Sequence, residues 1–507
     1  MNRFLPLFCL LLGSWAAAVD PWKGTFNFET IPPPVGVDPQ VGAMGTLPDG
    51  RLVVAFHRGE VYFYDPEEAL WSEFARGLHE PLGLLVEDAQ NILVMQRPEL
   101  TRLTDGDGDG RAESFETVFD DFGMTGNYHE FAFGPAKDAA GNLYVALGVA
   151  SNGAGIRPEI RGEWSEIGYP REKMITDGSW GKRKKNAGRM FGRVAYRGWI
   201  MKITPDGKGV PFASGVRSPN GIAFDADDRL LVCDNQGDWL GTSKLHHIRE
   251  GHFHGHPASL LWEKGRDRDP LKVPIAELEA KRTRAAGLFP QSELANSPTQ
   301  PILIPQDFAG FPALRGQMVI GEMNQTTLVR FLPDSGILGA SQGTTIPFLQ
   351  TAALGRGNNR LALGQDGSLW VGKTHLSWPG SEGLVKVTQK KPEQVILQIQ
   401  EVKATPEGFQ FTFSKPIDPK TLTKIQLERH TYNYNQEYGS PKVDLQPVVF
   451  EKQEGERDLL LKVKDFHPGY LYTFNFQWLK AVDGDPLLGH KGYYHLIAAP
   501  EQATAAR

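Results

Sequence analysis

Short alternating apolar runs, each entered through a polar turn, recur six times along the chain. They begin near Asp49 (DGRLVVA), Asp88 (DAQNILVM), Asp138 (DAAGNLYVA), Asp225 (DADDRLLVC), Arg315 (RGQMVIG) and Asp366 (DGSLWVG). Period-two alternation after an Asp- or Gly-rich turn predicts a β-strand. Its repetition at roughly one blade length, or twice that, predicts a β-propeller rather than a sandwich or a βαβ sheet. A propeller gathers its loops at one end of a central channel, so residues remote in sequence become neighbours there.

The cassettes occupy about residues 35 to 390, which assigns residues 19–392 to a six-bladed propeller. The intervals after Val145 and after Val232 are long, polar and charged, the kind of loop that carries function. Ile275 to Gly287 has helical character within the second interval. From about Val395 the pattern changes to VILQIQEVKATPEGFQFTFSKPID, then DLLLKVKDF and YLYTFNFQWLKAV. Alternating strands and turn signals over about a hundred residues predict a small immunoglobulin- or fibronectin-like β-sandwich, residues 393–507. The expected class is therefore all-β, with one large and one small domain.

Composition agrees. The 56 glycines and 36 prolines show no short period, which suits many-turn β structure rather than disorder. A net charge of −6 without a long basic run excludes a nucleic-acid partner. Residues 1–18 place Arg3 before an apolar run from Phe4 to Trp15 and end in three alanines, the pattern of a cleaved secretory signal peptide. That run is shorter than the roughly 20 residues of a spanning helix. The mature chain is thus expected to be secreted or periplasmic, with no transmembrane segment. Cys9 lies in the leader, so Cys233 alone remains, and its setting in LLVCDN predicts a buried strand residue.

One metal site is legible from spacing. Asp105, Asp107 and Asp109 stand at positions 1, 3 and 5 of a loop with Gly110 at 6, the Arg111 carbonyl at 7, Glu113 at 9 and Glu116 at 12. These offsets wrap oxygen ligands around calcium. Both flanks read as strands rather than EF-hand helices, so the loop is expected to be a hairpin tip clamped by a structural calcium ion.

Other polar residues converge around the cassettes. His129, in GNYHEFAFGP, sits before the third cassette at the inner mouth of a blade, where it serves as a general base or is satisfied by a loop carbonyl. Arg217 and Asn220 precede the fourth cassette, and Asp234, Asn235, Gln236 and Asp238 follow it. An arginine in this position is structural or clamps an anionic cofactor or substrate. In KLHHIREGHFHGHP, His252, His254 and His256 alternate and would share one strand face, a candidate second site for zinc or copper or simply a polar face. There is no C-x-x-C-H for covalent haem.

At NYHEFAFGP, GWIMKITPDG, GVRSPNGIAF and LLVCDNQGD the chain resembles the glucose/sorbosone dehydrogenase family, six-bladed propellers that use pyrroloquinoline quinone (PQQ) and calcium. It is similar too to secreted bacterial proteins described as membrane-bound dehydrogenases, often with a haem domain. The resemblance covers about residues 40 to 390. It implies that His129 removes a sugar hydroxyl proton as hydride passes to the quinone, and that Arg217 contacts the reduced quinone oxygen. Gln236, Gly237 and Asp238 fall where a loop supplies cofactor or calcium oxygens. Arg356 and Arg360 fall near an arginine pair of the sixth blade. Tyr128 replaces an acid before the base, and Asn324 replaces a quinone-clamping lysine. The implied substrate is a small sugar or polyol, with a separate electron-acceptor protein in place of the haem domain. A second resemblance, to calcium-dependent lactonase propellers, rests on SPNG, with Asn220 and Asp234 as ligands. A third reading is a non-catalytic propeller that binds carbohydrate or protein.

Overall fold

The computed structural model describes residues 20–151, 156, 160–168, 170–172, 189–336, 341–376 and 380–500. The expected leader and Cys9 lie outside the described residues. Each cassette forms the second strand of a different antiparallel sheet: Leu52–Phe56, Asn91–Met95, Leu143–Leu147, Leu230–Asp234, Met318–Glu322 and Leu369–Lys373. All but one of their residues, the half-buried Asn91, are buried, because each sheet stacks against a neighbour on both faces. That explains why the apolar runs are nearly continuous. The layer between the first two sheets shows the packing: Val53, Ala55, Phe63 and Phe74 meet Ile92, Val94 and Leu103.

The first strand of each sheet faces the centre. These strands are Val41–Thr46, Gly83–Val86, Ala132–Lys137, Pro219–Phe224, Pro298–Leu303 and Asn358–Leu363. Each touches the next, and the last touches the first, so the six sheets close into the ring of a β-propeller. Phe26–Ile31 completes the sixth sheet by pairing antiparallel with Gly383–Gln389, from Phe26↔Gln389 to Ile31↔Leu384. The two ends of the propeller sequence thereby lock the ring. The centre is narrow. A Cβ on Gly42 would lie 2.0 Å from the Pro81 carbonyl oxygen, and one on Gly83 1.8 Å from that of Gly134. Only glycine permits this approach.

The C-terminal residues form two four-stranded layers. One contains Ile399–Thr405, Gly408–Phe413, Phe450–Glu454 and Asp458–Val463. The other contains Gln426–Thr431, Val443–Pro447, Tyr470–Asn475 and Lys491–Leu496, and it is continuous with the fifth blade. Lys491–Leu496 pairs with that blade's outer strand, Gln342–Phe348, through Gly343↔His495 and Thr345↔Tyr493. The core between the layers, built on Phe409, Phe411, Leu461 and Phe474, takes in Leu332 and Ile346 from the propeller. The small unit is therefore fused to the ring and covers an edge that would otherwise be open. Among the described residues no helix is long and apolar enough to cross a membrane. Cys233 is fully buried in its strand, and burial pushes its thiol well up.

Candidate functional site

At one end of the ring a cavity of about 280 Å³ is lined from every blade, by His57, Leu82, His129, Arg217, Asn296 and Asn359 among others. Leu82, His129, Arg217 and Asn296 lie just before or at the start of the innermost strands. His57, Asn235, Met323 and Thr374 follow the second strands. Antiparallel pairing brings these two kinds of loop to the same end.

His129 and Arg217 share this cavity. The His129 segment is held by its neighbours. Its amide donates to Asn127 Oδ1 at 3.0 Å, and Arg97, paired with Glu80, donates to the Asn127 and Tyr128 carbonyls at 3.1 and 3.0 Å. The Tyr128 ring stacks on the imidazole with centroids 4.2 Å apart. His129 Nδ1 is buried without a hydrogen-bond partner. Burial first, then the charges of Arg217, Arg97 and Arg189, pull the imidazole down to about 3. It is a neutral imidazole in a positive field.

Arg217 is only 7% exposed. Its guanidinium reaches Met190 Sδ at 3.9 Å and makes no ion pair with any described residue. Asp234 fixes the turn from below, accepting from the Arg217 and Ser218 amides at 2.9 and 2.7 Å. Gly237 leaves the arginine room, since a Cβ there would lie 2.7 Å from Arg217 Nε. Gln236 lines the cavity and donates to the Gly241 carbonyl at 3.1 Å. Asp238 is structural, holding the Met190 amide at 3.1 Å and His256 Nε2 at 3.3 Å. Asn235 Oδ1 is a second buried atom without a partner. No acid lies among the described residues lining the cavity.

Asn220 lines the floor, and beneath it lies Arg360. The Arg360 guanidinium donates to Asn220 Oδ1 at 3.0 Å and to the carbonyls of Gly42, Leu82 and Asn359 at 2.6, 2.8 and 2.8 Å. Burial lowers it to about 9, so it remains a cation. Asn220 Oδ1 is thus taken by Arg360, as the Asp234 carboxylate is by the Arg217 and Ser218 amides. Arg356 is exposed and absent from the lining; its carbonyl accepts from Lys373 Nζ at 3.0 Å. Asn324 is half-buried and does not line the cavity either.

Sequence reasoning missed one wall. The segment between Gln426–Thr431 and Val443–Pro447 leaves the small unit and crosses to the fourth blade. Gly439 N donates to Gly237 O and Ser440 N to Gly241 O, each at 2.9 Å, and Tyr434 Oη donates to Gly255 O at 2.6 Å. These contacts set Tyr438 in the lining, with Arg189 Cζ 3.8 Å and Arg217 Cζ 5.7 Å from its ring centroid. A polar loop carrying two tyrosines (NYNQEYGS) was the only signal.

The histidine triplet departs from expectation. His252, His254 and His256 lie outside any strand, in a segment bent at Gly251 and Gly255, whose φ values are 75° and 116°. The His252 and His254 rings stack with centroids 6.5 Å apart, but the three side chains take different partners. His252 meets Thr283 at 2.8 Å, His254 packs buried against His246 with ring centroids 4.8 Å apart, and His256 meets Asp238. They do not gather into a ligand set.

The acidic loop is a hairpin tip between Leu100–Thr104 and Ser114–Phe119, away from the cavity. Carboxylate oxygens of Asp105, Asp107 and Asp109 lie within 4.8 Å of one another. Asp105 also accepts from the amides of Gly108, Asp109 and Gly110 at 2.7, 3.2 and 2.9 Å. Arg111 N donates to Asp109 at 2.8 Å and Gly106 N to Glu113 at 2.6 Å. Glu116 turns to Arg102 at 3.0 Å and leaves the group.

Comparison with known proteins gives a family model described as a domain of unknown function (DUF7133), matching residues 71–266. No curated protein matches the chain. Similar solved structures include a protein assigned as an oxidoreductase (glucose dehydrogenase) from Thermus thermophilus, 18% identical, covering 71% of this chain and 99% of its own, with a TM-score of 0.48. The PQQ-bound aldose sugar dehydrogenase of Streptomyces coelicolor is 15% identical, over 72% of this chain and 98% of its own, with a TM-score of 0.46. The PQQ domain of pyranose dehydrogenase from Coprinopsis cinerea is 12% identical, over 72% and 95%, with a TM-score of 0.46.

Proposed function

We propose that the cavity binds an anionic quinone of the PQQ type and that the chain is a dehydrogenase of a small sugar or polyol. The observation that carries this is the charge of the site. Arg217 is buried without a counter-ion among the described residues, Arg189 stands beside it across Tyr438, and no described lining residue is acidic. Buried cations call for anions. A planar polycarboxylate fits that demand, with Arg217 and Arg189 holding its oxygens and Tyr438 offering a ring face.

The bound quinone would supply the two-electron acceptor. The chain supplies the rest. His129, neutral and in the cavity lining, takes the hydroxyl proton of the substrate. Burial is the larger cause of the His129 depression and the arginine field the smaller, so an anion beside the arginines restores the part of the base's strength that the field removes. Calcium there would rest on neutral oxygens such as Asn235 Oδ1 and on the cofactor's own acid groups.

The lactonase reading has less support, because the Arg360 guanidinium already occupies Asn220 Oδ1 and the Asp234 carboxylate is committed to backbone amides. The dehydrogenase reading has an exported chain that passes electrons to a separate acceptor protein, with residues 393–507 as an immunoglobulin- or fibronectin-like sandwich. It also has a structural calcium ion at Asp105, Asp107 and Asp109. The test is a screen of sugars and polyols with an artificial electron acceptor, after incubation with PQQ and calcium. Turnover that disappears in His129→Gln supports the reading, and no turnover with any substrate counts against it.

A further inference from the structure

A second cavity, of about 260 Å³, lies in the seam between the propeller and the C-terminal unit. Its propeller side presents Lys244 from the strand Ser243–Ile248, with Arg282 and Arg284 just past the helix Ile275–Lys281. Its other side presents Tyr432, Tyr434 and His495. Charge in this cavity does not balance. Glu279, the one acid among the described lining residues, is held by both Arg282 at 2.6 Å and Arg284 at 3.2 Å.

Lys244 has no such partner. It is 7% exposed and makes no hydrogen bond or ion pair with a described residue. Its cross-strand neighbour Asp234 spends its carboxylate on the Arg217 and Ser218 amides. Arg282 Nε is also buried without a partner. An unpaired ammonium at this depth is costly. The cost shows in Lys244 itself, which burial and Arg282 pull down to about 7. His495 adds no countercharge, since burial pulls its imidazole down to about 3 and its Nδ1–H donates to the Ala285 carbonyl at 2.7 Å.

We propose that this seam cavity binds a small oxyanion, a carboxylate or a phosphate group, held by Lys244, Arg282 and Arg284. Such an anion supplies the missing charge, accepts from the free ammonium and from the guanidinium edges, and bridges the two units. The site is separate from the cavity in the ring and does not depend on the quinone reading.

The test is thermal unfolding of the full chain in phosphate or acetate, against chloride at matched ionic strength, with phosphate binding followed by equilibrium dialysis. A ligand that binds only the folded state raises the transition. Phosphate, acetate or both should raise it in the wild type. The rise should vanish in Lys244→Gln, shrink in Arg284→Gln and persist in Lys208→Gln, whose lysine lies in an exposed turn. A response to phosphate alone identifies a tetrahedral ligand, and to acetate alone a carboxylate. The proposal is overturned if neither anion acts beyond chloride, or if Lys244→Gln responds like the wild type. Should Lys244→Gln fail to fold, retained phosphate binding by Arg284→Gln at wild-type affinity would overturn it equally.

Discussion

Arg360 donates to the side-chain oxygen of Asn220 at 3.0 Å, and this contact fixes a guanidinium under the cavity floor. The same group reaches the carbonyls of Gly42 and Leu82, so one side chain of the sixth blade ties together the first, second and fourth. It works as an internal cation built into the ring. Replacing it by Arg360→Met leaves these oxygens buried without donors. The expected loss is about 3 kcal/mol or more, read as a lower denaturant midpoint. A midpoint unchanged within error would show that the tie is dispensable.

Proton uptake at His129 gives a second prediction. Folding holds the imidazole at about 3 against an ordinary 6.5, so the folded chain binds fewer protons than the unfolded chain between those values. Its contribution to stability is complete above 6.5 and drains away as pH falls toward 3. His129→Gln should flatten this part of the pH–stability curve. Imidazole NMR should show His129 neutral at pH 6 in the free protein, with its titration moved upward when an anionic ligand binds.

Tyr438 separates binding from folding. Tyr438→Ala removes a ring that faces Arg189 and Arg217 but holds no core position. It should weaken binding of an aromatic anion about tenfold while leaving the melting temperature nearly unchanged. Truncation after Lys391 should do both kinds of damage. It uncovers the edge strand Gln342–Phe348 and strips the core around Leu332 and Ile346. A truncated chain as stable and as competent as the whole would contradict the fused architecture.

The acidic hairpin predicts a calcium response at a distance from the cavity. Calcium should raise the melting temperature and a chelator should reverse it. Asp107→Asn and Asp109→Asn should abolish the effect. Glu116→Gln should keep it, because that carboxylate is turned to Arg102.

Much of the fold was legible because its units are local. Each cassette carries its own turn and its own apolar run, and each became the second strand of a sheet. The hairpin at Asp105 was legible for the same reason, as was the helix from Ile275, which stops at Lys281 rather than reaching Gly287, where a strand begins. His129 and Arg217 could be placed because they flank cassettes whose loops must converge. What escaped depends on pairing across distance. Nothing in the sequence shows that Gly343 will meet His495, or that a loop near residue 438 will lie on Gly237. Arg360 reads as a ligand-binding arginine until its five oxygen partners are seen. The alternating histidines read as one strand face until the bends at Gly251 and Gly255 are seen, which leave His252 and His254 stacked and turn His256 to Asp238.

The central claim is that Arg217 waits for an anionic quinone. Calorimetric titration of PQQ into the full chain with calcium, in wild type and in Arg217→Gln, tests it most directly. The account predicts tight binding by the wild type and at least about tenfold weaker binding by the variant, with the fold intact. No measurable binding by the wild type, or equal affinity in the two proteins, would contradict it.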